Sequence, residues 1–167
     1  MPRRLFAVCL LVCLLLTGCR QQPAVEPLGL DFTCDFRAQY NDLAAAGTLT
    51  RHTAGTLKLD FSEPETLKGL SAEWDGESVT LHYLGLTYSV DPKKLPESAL
   101  GEQLIAAFDA ALRGEGTSEE SNGKVMVTGS VSGAAYTFIY DKQSGAPLSL
   151  AVPSIPLSVT FSNVRTN

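Results

Sequence analysis

The feature that most constrains the fold of this 167-residue chain is a strict two-residue alternation near its start. Polar side chains fill every second position from Asp31 to Gln39, and the positions between and beside them are Leu30, Phe32, Cys34, Phe36, Ala38 and Tyr40. Side chains on a β-strand point alternately to its two faces. The pattern therefore predicts a long antiparallel strand with one buried face and one solvated face.

Shorter runs of the same kind predict about nine strands in all. Two of the predicted hairpins have their turns at Ala54-Gly55 and Asp75-Gly76. The predicted strands after the first are 47–53, 55–61, 71–74, 79–84 with its extension 86–90, 124–129, 134–140, 148–152 and 157–164. Between residues 97 and 113 the apolar spacing changes to three and four residues, which predicts an amphipathic helix. A polar loop is expected from there to Ser121-Asn122-Gly123.

This order of elements predicts an α+β domain, mostly β, over residues 30–167: a curved antiparallel sheet with one helix packed on its concave face. Nine strands at about 4.8 Å spacing span roughly 40 Å, whereas a helix is about 10–12 Å across and shields two or three of them. The rest of the apolar face must be covered in another way. Either the sheet curls around the helix into an open barrel, or the face holds an apolar ligand or partner.

Ahead of the sheet, residues 1–18 have the form of a signal peptide, with Arg3 and Arg4 before an apolar run that begins at Leu5. The run is too short to span a bilayer comfortably. It ends in Leu15-Leu16-Thr17-Gly18-Cys19, which closely resembles the bacterial lipobox. That resemblance implies that Cys19 carries a diacylglycerol. Residues 20–29 lack periodicity and contain two prolines, which predicts a tether. The expected location is the outer side of a cytoplasmic membrane, or an outer membrane.

Composition excludes several classes of function. Without residues 1–18 the chain has 11 basic and 18 acidic side chains, a net charge of about −7, so nucleic acid is not an expected partner. Cys34 is the one cysteine left after Cys19, which rules out an internal disulfide. The two histidines, His52 and His82, are expected at the surface, and no metal-ligand spacing accompanies them. We expect neither an enzyme nor a cofactor.

Four stretches of the chain together resemble the LolA/LolB lipoprotein carriers and their LppX-type relatives. They are the segment from Ser62 to Leu70, the Trp74-Asp75-Gly76 turn, the hairpin from Tyr140 to Pro147 and the terminal run from Val159 to Asn163. The resemblance covers most of residues 30–167. It implies a half-barrel whose concave apolar cavity, lidded by helices, accepts acyl chains. Residues 20–29 are too short and proline-rich for the N-terminal helix of that superfamily, which implies a smaller lid here.

Two functional hypotheses follow. In the first, the chain binds lipid or another apolar ligand between the helix and the sheet. The residues expected to line that site are Phe36, Tyr40, Phe61, Trp74, Tyr83, Leu104, Phe108, Tyr136 and Phe138. In the second, the same side chains form an ordinary filled core, and the lipoprotein engages another envelope protein.

Overall fold

The structure is a computed structural model that describes residues 31–95, 100–131 and 133–166. The predicted signal peptide 1–18, the expected lipidation site Cys19 and the tether 20–29 lie outside the described residues. So do the predicted domain boundary at residue 30 and the predicted helix start at residue 97.

Eleven strands form one open, curved antiparallel sheet that does not close into a barrel. Their order across the sheet is β6-β5-β4-β3-β2-β1-β11-β10-β9-β8-β7. The predicted fold class is confirmed. The strands are β1 Phe32–Tyr40, β2 Leu43–Arg51, β3 Leu57–Glu63, β4 Ser71–Trp74, β5 Val79–Tyr83, β6 Leu86–Val90, β7 Thr117–Ser121, β8 Lys124–Val131, β9 Ala134–Asp141, β10 Pro147–Val152 and β11 Leu157–Thr166.

The helix α1, Leu100–Leu112, packs on the concave face, which we call the inner face. Within the described ranges, no helix has the length and apolar character needed to cross a bilayer. The inner face carries the core of the domain. In β1, as predicted, Phe32, Cys34, Phe36 and Ala38 are buried and the intervening side chains are more exposed.

The strand count corrects the sequence prediction. Residues 117–121 fall within the predicted polar loop, but they form β7, which pairs with β8 at one end of the sheet. All five residues of β7 are exposed, so neither face shows the apolar alternation on which the prediction depended. The second strand also begins earlier than predicted, at Leu43, because the three alanines that follow pair with the end of β1.

Two hairpins use the same two-residue turn with different residues. Tyr83 and Leu86 pair across Leu84-Gly85, whose φ angles are +50° and +81°. Ser121 and Lys124 pair across Asn122-Gly123, whose φ angles are +50° and +74°. Positive φ at both central residues defines the type I′ turn, for which Asn-Gly is a preferred sequence. The leucine in the first turn is unusual, since a bulky side chain disfavours this backbone conformation.

Candidate functional site

Most of the side chains predicted to line a ligand site lie in the core. Tyr40 and Phe61 are partly buried against its edge, and Tyr83 is 37% exposed. The buried members of the set are Phe36, Trp74, Leu104, Phe108, Tyr136 and Phe138. The structure thus brings eight of the nine residues into or against one apolar cluster. Their contact with a ligand stays a prediction.

Trp74 of β4 contacts the first turn of α1. Its indole Nε1 donates a hydrogen bond to Glu102 Oε1 at 2.8 Å. Gly101 lies flat against the indole ring, where an added Cβ would come within 2.3 Å of Trp74 Cη2. A glycine at this helix position therefore permits a close approach that any larger residue would block.

Phe108 is the aromatic centre of the core. Its ring contacts Phe32 at 5.8 Å, Phe138 at 5.3 Å and Phe161 at 5.6 Å between centroids, so it joins α1 to β1, β9 and β11. The first two contacts are edge-to-face, the geometry that ring quadrupoles favour. The guanidinium carbon of Arg51 lies 5.3 Å from the centre of the same ring.

A buried ion pair that the sequence analysis did not anticipate ties α1 to the sheet. The Arg51 side chain is 1% exposed, and its Nη2 donates to Asp109 Oδ1. The other carboxylate oxygen, Oδ2, accepts a hydrogen bond from the backbone N–H of Gly55 at 3.1 Å. Arg51 lies two residues after Leu49, on the buried face of β2, and this spacing is the signal from which a buried arginine could have been predicted.

Cys34 lies at the middle of the buried face and is fully buried. Burial raises the pKa of its thiol to about 12, with a smaller contribution from the neighbouring Asp35 carboxylate. The reactive thiolate is therefore scarce at neutral pH.

We expect Cys34 in the native protein to resist alkylation by a maleimide and to react only as fast as the domain unfolds. Because its pKa is about 12, the thiolate fraction at pH 8 is about 10⁻⁴ even before access is considered. Mass spectrometry after timed labelling, with and without denaturant, measures this rate. Rapid labelling without denaturant would contradict the buried position.

Part of the inner face is not covered by α1. Register places Leu81 opposite Ala72 of β4 and Tyr88 of β6, and it places Tyr83 opposite Leu86. Since Ala72 is buried on the inner face, these four side chains share that face. Leu86 is 74% exposed and Tyr88 is 66% exposed. The predicted excess of apolar face over helix cover is thus present at the β5–β6 end of the sheet.

This exposed strip forms one wall of an apolar recess of about 380 Å³. The other wall is the connection between β3 and β4, where Leu67 and Lys68 donate backbone hydrogen bonds to the Pro64 carbonyl and turn the chain back. The lining residues are Thr66, Leu67, Leu70, Leu81, Tyr83, Leu86 and Tyr88. Tyr83 belongs to the predicted set. Leu86 and Tyr88 were missed, although their alternate spacing along β6 indicated one apolar face, and Thr66, Leu67 and Leu70 lie in a connection where no such spacing applies.

The histidines lie at the surface, as expected. His52 Nδ1 is 2.9 Å from the Asp31 carboxylate, and His82 Nδ1 is 3.0 Å from the Thr87 hydroxyl. In the described ranges, no group of three or more His, Cys, Asp or Glu side chains is arranged to hold a metal ion.

No protein-family model and no curated protein matches the chain. Among solved structures, its fold is similar to that of an uncharacterized conserved protein from Thermus thermophilus, with a TM-score of 0.54 and 8% identity over 86% of this chain and 81% of that one. A LolA superfamily protein from Nitrosomonas europaea matches with a TM-score of 0.42 and 8% identity, over 86% of this chain and 90% of the other. LprF from Mycobacterium bovis matches with a TM-score of 0.42 and 12% identity, over 84% and 87%.

The likeness is one of fold. A LolA superfamily protein and a mycobacterial Lpr protein are thus among the fold matches, in line with the resemblance stated from the sequence, and any shared role stays a prediction.

Proposed function

We propose that this chain is a membrane-anchored envelope lipoprotein that binds an acyl chain or another apolar ligand on the uncovered part of its inner face. The observation that carries the proposal is the apolar recess between β5–β6 and the 64–70 connection. A recess of about 380 Å³ lies within the range of small-molecule sites, about 300–1,000 Å³, and its lining is apolar, as such sites usually are. The role is one of binding rather than catalysis.

The recess sets the strength of binding to expect. Each methylene removed from water contributes about 0.8 kcal/mol, so about ten of them contribute roughly 8 kcal/mol before the cost of ordering the chain. Micromolar affinity corresponds to about 8.2 kcal/mol. We therefore expect micromolar to millimolar affinity for a single acyl chain, with little dependence on the headgroup, because charged side chains are absent from the lining.

Replacing Leu86 with aspartate is expected to weaken the uptake of a fluorescent fatty-acid probe at least tenfold, because it places a carboxylate among the apolar lining residues. The control is Leu84→Asp, the same change two residues away in a side chain that is 83% exposed and does not line the recess. Probe titration of protein lacking residues 1–19 measures both, and circular dichroism verifies that each variant is folded. Equal loss in the two variants would contradict a site in the recess.

Native mass spectrometry of the protein extracted from its own membrane tests the same proposal without a chosen probe. A co-purified lipid that is lost in Leu86→Asp and kept in Leu84→Asp supports it. If the wild-type protein carries no lipid and takes up no probe saturably, the ligand-binding proposal fails.

The anchor is tested separately. Cys19→Ala is expected to abolish acylation and leave the precursor uncleaved, because the acceptor sulfur of the lipobox-like motif is gone. Membrane fractionation and gel mobility measure this, with Cys13→Ala, inside the predicted signal peptide, as the control. A Cys19→Ala chain that is trimmed and retained like the wild type would overturn the anchor.

The second candidate is an interaction lipoprotein whose core is filled by its own side chains. It is favoured by the burial of Leu104, Phe108 and Phe138, which belong to the predicted lining yet pack with one another and with the rest of the core. A wild-type protein without bound lipid, but with a stable envelope partner that contacts the β5–β6 strip, would support it.

A further inference from the structure

Leu84 occupies a position that the fold alone does not explain. Four non-glycine residues have a positive φ in the described ranges, and the other three are asparagines. Leucine lacks the short polar side chain that makes this backbone conformation tolerable for asparagine. Leu84 is also 83% exposed, so its side chain gains almost nothing from the core.

The hairpin between β7 and β8 provides the internal comparison. The φ angles of its turn are nearly the same as those of the Leu84 turn, but asparagine stands at the first central position. Asparagine at position 84 would therefore be expected to make the folded domain more stable than leucine does. A strained and solvent-exposed leucine in this place indicates a contact outside the domain.

The exposed side chains beside Leu84 on the inner face are apolar. Leu86 and Tyr88 are 74% and 66% exposed, and Tyr83 is 37% exposed. From Val79 to Val90 the sequence contains no Asp, Glu, Lys or Arg, although the whole chain has 31 such residues. The β7–β8 hairpin, by contrast, carries two glutamates and a lysine.

We propose that the tip of the β5–β6 hairpin inserts into the interface of a lipid bilayer. Leu84 would enter the acyl region, and the facing pair Tyr83 and Leu86, with Tyr88 behind it, would lie at the boundary with the headgroups, where tyrosine is favoured. The partner is an uncharged or zwitterionic lipid surface, because the hairpin offers no lysine or arginine to anionic headgroups. This goes beyond the proposed function, since Leu84 does not line the recess.

The chain before the sheet is long enough for the hairpin tip and the predicted lipid anchor at Cys19 to lie in the same membrane. Thr33 of β1 lies in the same register row as Thr80 and Ser89, so the neighbouring Phe32 lies near the level of Val79 and Val90 at the base of the hairpin. Four to five strand spacings and five residues along β5 put the tip roughly 30 Å from Phe32. Residues 20–31, if fully extended, would reach about 40 Å.

The test uses the full chain purified from its membrane and reconstituted into phosphatidylcholine vesicles. Leu84→Trp is expected to be quenched by brominated acyl chains several times more strongly than Asn122→Trp, the same change at the matched turn of the other hairpin. Trp74, the single native tryptophan, gives the background in both. Quenching should change little with added salt. Glu119→Trp, on the exposed β7, replaces Asn122→Trp if that variant does not fold.

A second variant separates a membrane role from a structural one. Leu84→Asn should raise the midpoint of thermal unfolding in detergent by about 2–4 °C, because asparagine relieves the left-handed strain. A lower midpoint would show that Leu84 serves the fold. Equal quenching of Leu84→Trp and Asn122→Trp by brominated lipid would overturn the bilayer contact. The bilayer contact would also be overturned if the protection of Leu84→Trp from aqueous acrylamide increased with protein concentration. That result would identify a second copy of the chain as the partner.

Discussion

Asp109→Ala is expected to lower the free energy of unfolding by about 3–5 kcal/mol, because it leaves the buried Arg51 guanidinium without its counter-charge. Arg51 is 1% exposed, and its Nε and Nη1 have no hydrogen-bond partner among the described residues. The pair also fixes α1 over the turn at Gly55, whose N–H donates to the same carboxylate. Urea denaturation monitored by circular dichroism measures the change.

Two controls identify the cause. The double variant Arg51→Met with Asp109→Leu removes both charges and should recover most of the stability, since the desolvation penalty is removed with them. Glu115→Ala breaks the exposed pair between Arg113 and Glu115 and should leave stability near that of the wild type. If Asp109→Ala matched Glu115→Ala, the buried pair would not be what holds α1 on the sheet.

Phe108→Ala should cost a similar amount, about 3–5 kcal/mol, through a cavity rather than an unpaired charge. The ring is 5% exposed and contacts aromatic side chains from three strands. Phe108→Leu, which keeps much of the volume, is expected to cost less, and Ile105→Ala, on a half-buried position of the same helix, less again. Thermal and chemical unfolding of the three variants give the series. An order in which Ile105→Ala is the most damaging would contradict the central position of Phe108.

The sequence predicted much of the sheet because the alternation in β1 reports burial directly. Phe32, Cys34, Phe36 and Ala38 are all buried, as expected. The alternation fails where both faces of a strand are solvated, as in β7, since nothing then distinguishes a strand from a polar loop. The Asn122-Gly123 pair in that stretch was the remaining signal, because such a pair joins two strands of a hairpin.

The candidate site was harder to predict, for a physical reason. Parity along a strand tells which face a side chain points to, but not whether a helix covers that face. Cover depends on contacts between residues far apart in sequence, such as Trp74 with Glu102 and Arg51 with Asp109. Phe36 and Tyr83 point to the same face of the sheet, and both were predicted to line a ligand site. Phe36 is nevertheless buried, whereas Tyr83 is partly exposed to solvent.

The pairing of β1 with β11 has a consequence for how the protein is made. Phe32 pairs with Thr166 and Tyr40 with Leu157, so the middle of the sheet joins segments from opposite ends of the described chain. If the chain is exported unfolded, its N-terminal half emerges first. One backbone edge of β1, with its apolar side chains, then has no partner strand until β11 follows. Contacts of such long sequence separation form slowly. The early half would then benefit from a holding chaperone during export, and a stop codon before residue 157 would remove a central strand rather than trim a tail.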